Sequence, residues 1–246
     1  MIHHYLPSTK GAVAADPSAL CIRGVVFDMD GTLATPMKEH LIRMRHEIGV
    51  PNGIRTLEYV ETCLHGRARE LAEKRILDIE TEAMANMRVS PGLVDLLQFL
   101  HTHNIPTAII TRNNANSVSH FINNVVAEQP KEHLGFFGFD PIIDRSFKPT
   151  KPHPAGLLHI SQKWGIPPHQ LLMVGDHLDD LLCGLRAGSL TALLRYSDNS
   201  EFEAQAHIVV DRIDELVERL SSGFDADMSV AGHVDMAITT HAQTSA

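Results

Sequence analysis

The chain has 246 residues, enough for one sizeable domain with an insertion or for two small ones. Its hydrophobic content of 43% and charged content of 21% are ordinary for a globular protein, while a formal net charge of -9, from 21 basic against 30 acidic side chains, argues against broad binding to nucleic acid or to an anionic membrane. No window approaches the roughly eighteen apolar residues of a membrane span, the leading residues carry no signal-type pattern, and Cys21, Cys63 and Cys183 stand far apart without a CxxC, so a cytoplasmic protein with reduced thiols is expected.

Residues 1–21 are polar and small, with Pro7, Gly11 and Pro17, and read as an irregular extension. The run Val25-Val26-Phe27-Asp28-Met29-Asp30-Gly31-Thr32-Leu33 then ends an apolar stretch abruptly in two carboxylates and a glycine. That pattern predicts a buried strand of a parallel sheet delivering its acids to the C-terminal edge, where open α/β sheets bind ligands. Asp28 and Asp30, two residues apart, would share a face on a continuing strand. Carboxylates so close repel unless a hard divalent cation such as magnesium, or a shared proton, lies between them. Taken alone, the stretch also fits a strand closing in an ordinary Asp/Gly turn.

Residues 34–88 are charged and helix-favouring, with Leu41, Met44, Ile48 and then Leu71, Ile76, Ile79 at helical spacings and a break at Gly49-Val50-Pro51-Asn52-Gly53, which predicts a small helical insertion. Ser90-Pro91 suggests a capped helix start running to Asn104. From there strands and helices alternate. Strands are predicted at 107–111, 140–144, 171–175, 190–194 and 208–210, and helices at 114–126, 154–164, from 178 and 213–220, the pattern of a doubly wound parallel sheet. Residues 22–33 and 89–222 would form this α/β core, and residues 223–246 a flexible tail.

The later strands also end in residues suited to phosphate chemistry. Thr111 is followed by Arg112-Asn113-Asn114, Lys151 follows the third strand, and Gly175-Asp176 with Asp179-Asp180 follow the fourth. Each has an ordinary account: Thr111 as a helix cap, Lys151 as a solvated loop charge, the aspartates as compensation for a helix dipole. Jointly, hydroxyl, ammonium and carboxylates gathered at one sheet edge point to a phosphate site.

In Asp28-Met29-Asp30-Gly31-Thr32-Leu33, Ile109-Ile110-Thr111-Arg112-Asn113, Lys151-Pro152 and Gly175-Asp176-His177-Leu178-Asp179-Asp180 the chain resembles the haloacid dehalogenase superfamily, phosphatase branch, over about residues 22–220. The resemblance implies a Rossmann-like core with a helical cap at about 34–88. It departs at His177, where serine is frequent, and at His153, where an acid often follows. It further implies Asp28 as nucleophile forming an aspartyl-phosphate, Asp30 as acid and base, and Thr111, Asn113 and Lys151 on the phosphoryl oxygens. Magnesium would be held by Asp28, the carbonyl of Asp30, Asp176 and Asp180, with Asp179, about 100° away on its helix, the weaker acid.

A halide needs no proton to leave whereas an alkoxide does, so Asp30 favours a phosphatase over a dehalogenase. A phosphomutase on the same core, a response-regulator receiver and a non-catalytic phospho-acceptor or binding module are the competing readings. The expected partner is a small phosphorylated metabolite, with no nucleic acid and no membrane, acted on by a monomer or weak dimer. In the insertion, Arg67 and Arg69 are placed as substrate contacts beside Gly66, against the ordinary account of surface pairing with Glu70 and Glu73.

Overall fold

In the computed structural model, which describes residues 2–7, 20–129 and 138–233, the chain builds a mixed α/β molecule around a parallel sheet of six strands. In spatial order the strands are β4 (Phe139–Ile143), β3 (Thr107–Ile110), β2 (Gly24–Phe27), β5 (Leu171–Gly175), β6 (Leu190–Leu194) and β7 (Ile208–Val210). The doubly wound expectation holds, and the chain reverses direction on either side of β2, a switch point of the kind at which such sheets open a crevice. All residues of β2 and β5 are buried, which is why both read as unbroken apolar runs rather than as alternating strands.

Period-two geometry splits β2 between two helical layers. Val25 and Phe27 face a core shared with α4 (Leu93–Thr102) and α8 (Glu215–Ser222) through Leu93, Leu97, Leu216 and Leu220. Val26 faces the other way, onto Leu157 and Ile160 of α6 (Ala155–Trp164) and Cys183 of α7 (Leu178–Ala187). Phe27 is in register with Ile109 on one side and Val174 on the other, so the ends of the three central strands are level. Their following residues therefore emerge together.

Between β2 and α4 lie three helices, α1 (Lys38–Ile48), α2 (Thr56–Cys63) and α3 (Gly66–Met84). They bury Met44, Val60, Ala72, Ile76 and Ile79 in a small cluster of their own. Among the described residues no helix is long and apolar enough to cross a membrane.

Two expectations are corrected. The helix predicted at Ser90 begins at Leu93, because Gly92 takes a left-handed φ of 85° that no helical turn running from Ser90 could pass through. The leading and trailing segments are not wholly irregular: β1 (Ile2–Tyr5) pairs antiparallel with β8 (Phe224–Asp227), and Tyr5 stacks on Phe224 with ring centroids 5.3 Å apart. Residues 1, 8–19 and 234–246 of those segments lie outside the described residues.

Candidate active site

Asp28, Thr111 and Asp176 each follow the last residue of a strand, while Lys151 lies on the loop after β4 and Asp180 in the first turn of α7. The Asp28 N–H still donates to the Val174 carbonyl at 2.9 Å, so Asp28 is fixed by the sheet itself. The chain then turns sharply at Gly31, with φ 76°, and a Cβ there would stand 2.1 Å from Asp176 Oδ2. Only glycine allows the first acid-bearing turn to close on the Asp176 carboxylate. Thr111, at the end of β3, is buried, and its hydroxyl oxygen accepts the Asn113 N–H at 3.1 Å.

Lys151 is the buried cation of the cluster. Its ammonium lies 2.5 Å from Asp28 Oδ1 and 2.6 Å from Asp180 Oδ1. Burial works against this charge, but Asp180 and Asp28 outweigh it and hold the ammonium above its ordinary range. Burial raises the Asp28 carboxyl, with Lys151 pulling it down and Asp180 pushing it up. Burial, then Asp180 and Asp28, push Asp176 up to about 8. Asp30 is likewise raised by burial, against the hydrogen bond from Asn113.

The acids are differently engaged. Asn113 Nδ2 donates to Asp30 Oδ2 at 2.7 Å, while Asp30 Oδ1 is buried without a partner. Asn113, expected on the phosphoryl oxygens, thus has its amide turned to Asp30. Asp180, expected at the metal, has Oδ1 on Lys151 and Oδ2 accepting the His177 N–H at 3.0 Å. It still belongs to the acid group, since ligand atoms of Asp28, Asp176 and Asp180 all lie within 4.8 Å of one another. One lysine does not balance these three acids and Asp30. This donor set of crowded, buried carboxylates fits a hard divalent cation.

Asp179 faces elsewhere. Its buried carboxylate accepts Arg55 Nη2 at 2.5 Å and Arg112 Nη1 at 2.8 Å, so it serves two guanidiniums rather than the acid cluster. The departures at the histidines have local explanations. His177 Nδ1 accepts the Asp179 N–H at 3.2 Å, doing at the start of α7 what a serine hydroxyl would do. His153 Nδ1 accepts the Ala155 N–H at 3.2 Å at the start of α6.

Arg67 is exposed, and Arg69 donates to Glu73 at 2.7 Å along α3, the surface pairing anticipated as its ordinary account. The arginines that the fold brings beside the acids are instead Arg55 and Arg112. Sequence reading also missed Asn199, whose buried amide donates to the Asp176 carbonyl at 2.7 Å and the Leu194 carbonyl at 3.0 Å, and Glu80, which reaches from α3 to the loops after β3 and β4. Neither had a motif around it. Only the three-dimensional partner reveals the role.

A family model described as haloacid dehalogenase-like hydrolase matches residues 22–188. The chain is 35% identical over 206 residues to an uncharacterized hydrolase of Saccharomyces cerevisiae, covering 82% of this chain and 92% of that protein. It is 29% identical over 225 residues to phosphoglycolate phosphatase 1 of Pseudomonas aeruginosa, covering 79% and 78% respectively. Among solved structures, a hydrolase from Pseudomonas syringae shares the fold with a TM-score of 0.66 at 19% identity, over 80% of this chain and 97% of that one.

Proposed function

The chain belongs to the haloacid dehalogenase-like hydrolases, and from that premise we propose that it is a magnesium-dependent phosphatase acting on a small phosphorylated metabolite through an aspartyl-phosphate on Asp28. The observation that carries the reading is the unequal engagement of two acids on one turn. Asp28 is held against the Lys151 ammonium, whereas Asp30 is held by Asn113 through one oxygen and keeps the other unpartnered. The first arrangement suits a nucleophile kept ionised; the second suits a group that passes a proton.

Magnesium would be held by Asp28, Asp176 and the carbonyl of Asp30, with Asp180 beside them anchoring Lys151. When bound, it neutralises charge that would otherwise repel the attacking carboxylate. In the first half-reaction a carboxylate oxygen of Asp28 bonds to phosphorus as the ester P–O bond breaks, and Asp30 gives its proton to the departing alkoxide. In the second, Asp30 takes a proton from water, the water oxygen bonds to phosphorus, and the Asp28–phosphorus bond breaks to release phosphate. Thr111, through its hydroxyl hydrogen, and Lys151, through a remaining N–H, would hold the phosphoryl oxygens in both.

The helices at residues 34–88 serve as the cap over this edge, and Arg55 and Arg112, partly exposed beside Asp179, favour an anionic leaving portion. Phosphoglycolate, named for the Pseudomonas aeruginosa relative, therefore heads the substrate panel. A cytoplasmic site of action, as a monomer or weak dimer, is part of the same proposal, and the free Cys21, Cys63 and Cys183 are consistent with a reducing compartment.

The test compares phosphoglycolate with an aryl phosphate in magnesium, in chelator and in calcium, whose larger and looser shell should substitute poorly. Asp28→Asn should abolish turnover of both substrates and the phosphoryl mass adduct seen after acid quench. Asp30→Asn should impair the alkyl ester far more than the aryl ester, because only the poorer leaving group needs a proton. Full activity in chelator, or turnover by Asp28→Asn, would overturn the proposal.

A further inference from the structure

A chain of hydrogen bonds runs from the cap to the acid on the catalytic turn. Glu80, on α3, accepts Arg145 Nη1 on Oε1 at 2.6 Å, and on Oε2 accepts Asn114 Nδ2 at 2.6 Å and Arg145 Nη2 at 3.3 Å. Both partners grip Asn113. Arg145 gives its backbone N–H to the Asn113 carbonyl at 3.0 Å, and Asn114, the next residue, caps the helix beginning at Ala115 by accepting the Ser117 N–H at 2.9 Å. Asn113 in turn donates its amide to Asp30 Oδ2 at 2.7 Å.

We infer that Glu80 is a positioning residue for Asp30: seated against the core, it fixes the Asn113 loop that aims the Asp30 carboxylate, so the proton-transfer group is set when the cap is docked. This rests on the reading of Asp30 as acid and base. The Glu80 side chain is only 13% exposed and both of its oxygens are engaged, so losing its charge would leave the Arg145 fork unmatched in a partly buried setting. Another cap-to-core tie, Lys148 to Glu61 at 2.8 Å, is about half exposed on both sides and does not lead to the turn. It provides an internal control.

Glu80→Gln keeps the side chain's size but presents an amide to a site with donors on both sides, Arg145 and Asn114. Turnover of an alkyl phosphate and of an aryl phosphate would be measured in Glu80→Gln, Glu61→Gln and Asp30→Asn, with thermal melting to establish folding. The expected result is a fall of roughly tenfold in kcat for the alkyl ester in Glu80→Gln, a fraction of the full worth of a positioned acid, with the aryl ester within about twofold and KM little changed. Glu61→Gln should show no such selectivity. If Glu80→Gln does not fold, Arg145→Lys, which keeps the opposite charge and loses the fork, should show the same selective loss in smaller measure.

Equal losses on both esters in the Glu80 or Arg145 variant, or none, would overturn the inference while a selective Asp30→Asn left the reading of Asp30 standing. The same selective loss in Glu61→Gln would also overturn it, by showing that general cap seating is enough. A non-selective Asp30→Asn would remove both.

Discussion

Asp28 and Asp30 are the same side chain two residues apart, and the fold gives them different partners. The partner of Asp28 is Lys151, which also reaches Asp180, so the lysine keeps buried carboxylates from facing one another without a counter-charge. Lys151→Met should therefore abolish activity and destabilise the metal-free protein by about 3 kcal/mol near neutral pH, the usual scale for stripping one partner from a buried pair. The loss should shrink in mild acid as the orphaned carboxylates protonate. Urea denaturation at the two pH values checks this, and an undiminished loss in acid would locate the damage in packing instead. Asp28, Asp30, Thr111 and Asp176 were legible because each stands at or close to the end of an apolar strand whose direction is itself legible, and Lys151 only by its place in the order of motifs, since it sits on a loop eight residues past β4. Asp179, ranked below Asp180 for the metal on helix geometry, is paired with Arg55 and Arg112. Glu80, Arg55 and Asn199 were not legible, since each acts on a residue at least 23 positions away with no local pattern to mark it.

At the scale of the element, the start of α7 carries three duties at once: it delivers Asp176 from β5, turns Asp179 to Arg55 and Arg112 and brings Asp180 back to Lys151. Two backbone bonds hold that turn, the Asp179 N–H to His177 Nδ1 and the His177 N–H to Asp180 Oδ2, a reciprocal cap in which an imidazole replaces the usual hydroxyl. His177→Ser should be nearly neutral for stability, whereas His177→Ala should cost about 1 kcal/mol, the ordinary worth of an N-cap. Chemical denaturation of both variants measures the difference; equal stabilities would show that the ring acts by its contact with Phe202, 5.7 Å away between centroids, and not as an acceptor. The other elements followed their patterns where packing was local. The start of α4 did not, because Gly92 takes a left-handed φ of 85° and the helix begins only after it, at Leu93.

On the scale of the whole molecule, the first and last described strands close on each other, and sequence could not show it: Ile2–Tyr5 and Phe224–Asp227 are short, carry histidines and aspartates, and gain their order only by pairing across more than two hundred residues. The acid cluster is a second long-range closure, and here the whole fold bears an electrostatic cost. Asp28 is raised to about 7 and Asp176 to about 8 from an ordinary 3.8, first by burial and then with neighbouring acids contributing. Between the ordinary and the raised values the metal-free folded chain holds protons that the unfolded chain has released. Folding therefore takes up protons, and this contribution to stability, whole below about pH 4, is lost as pH rises through about 7 to 8. A cation that binds only the folded, ionised cluster should reverse that loss, adding about 2.7 kcal/mol at a hundred times its dissociation constant. Differential scanning calorimetry with and without magnesium should then show a larger rise in Tm near pH 8 than near pH 5, where protons compete for the same oxygens. The rise should vanish in Asp176→Asn at both values. An equal rise at the two pH values, or one that survives in Asp176→Asn, would place the cation on other acids of this negatively charged chain.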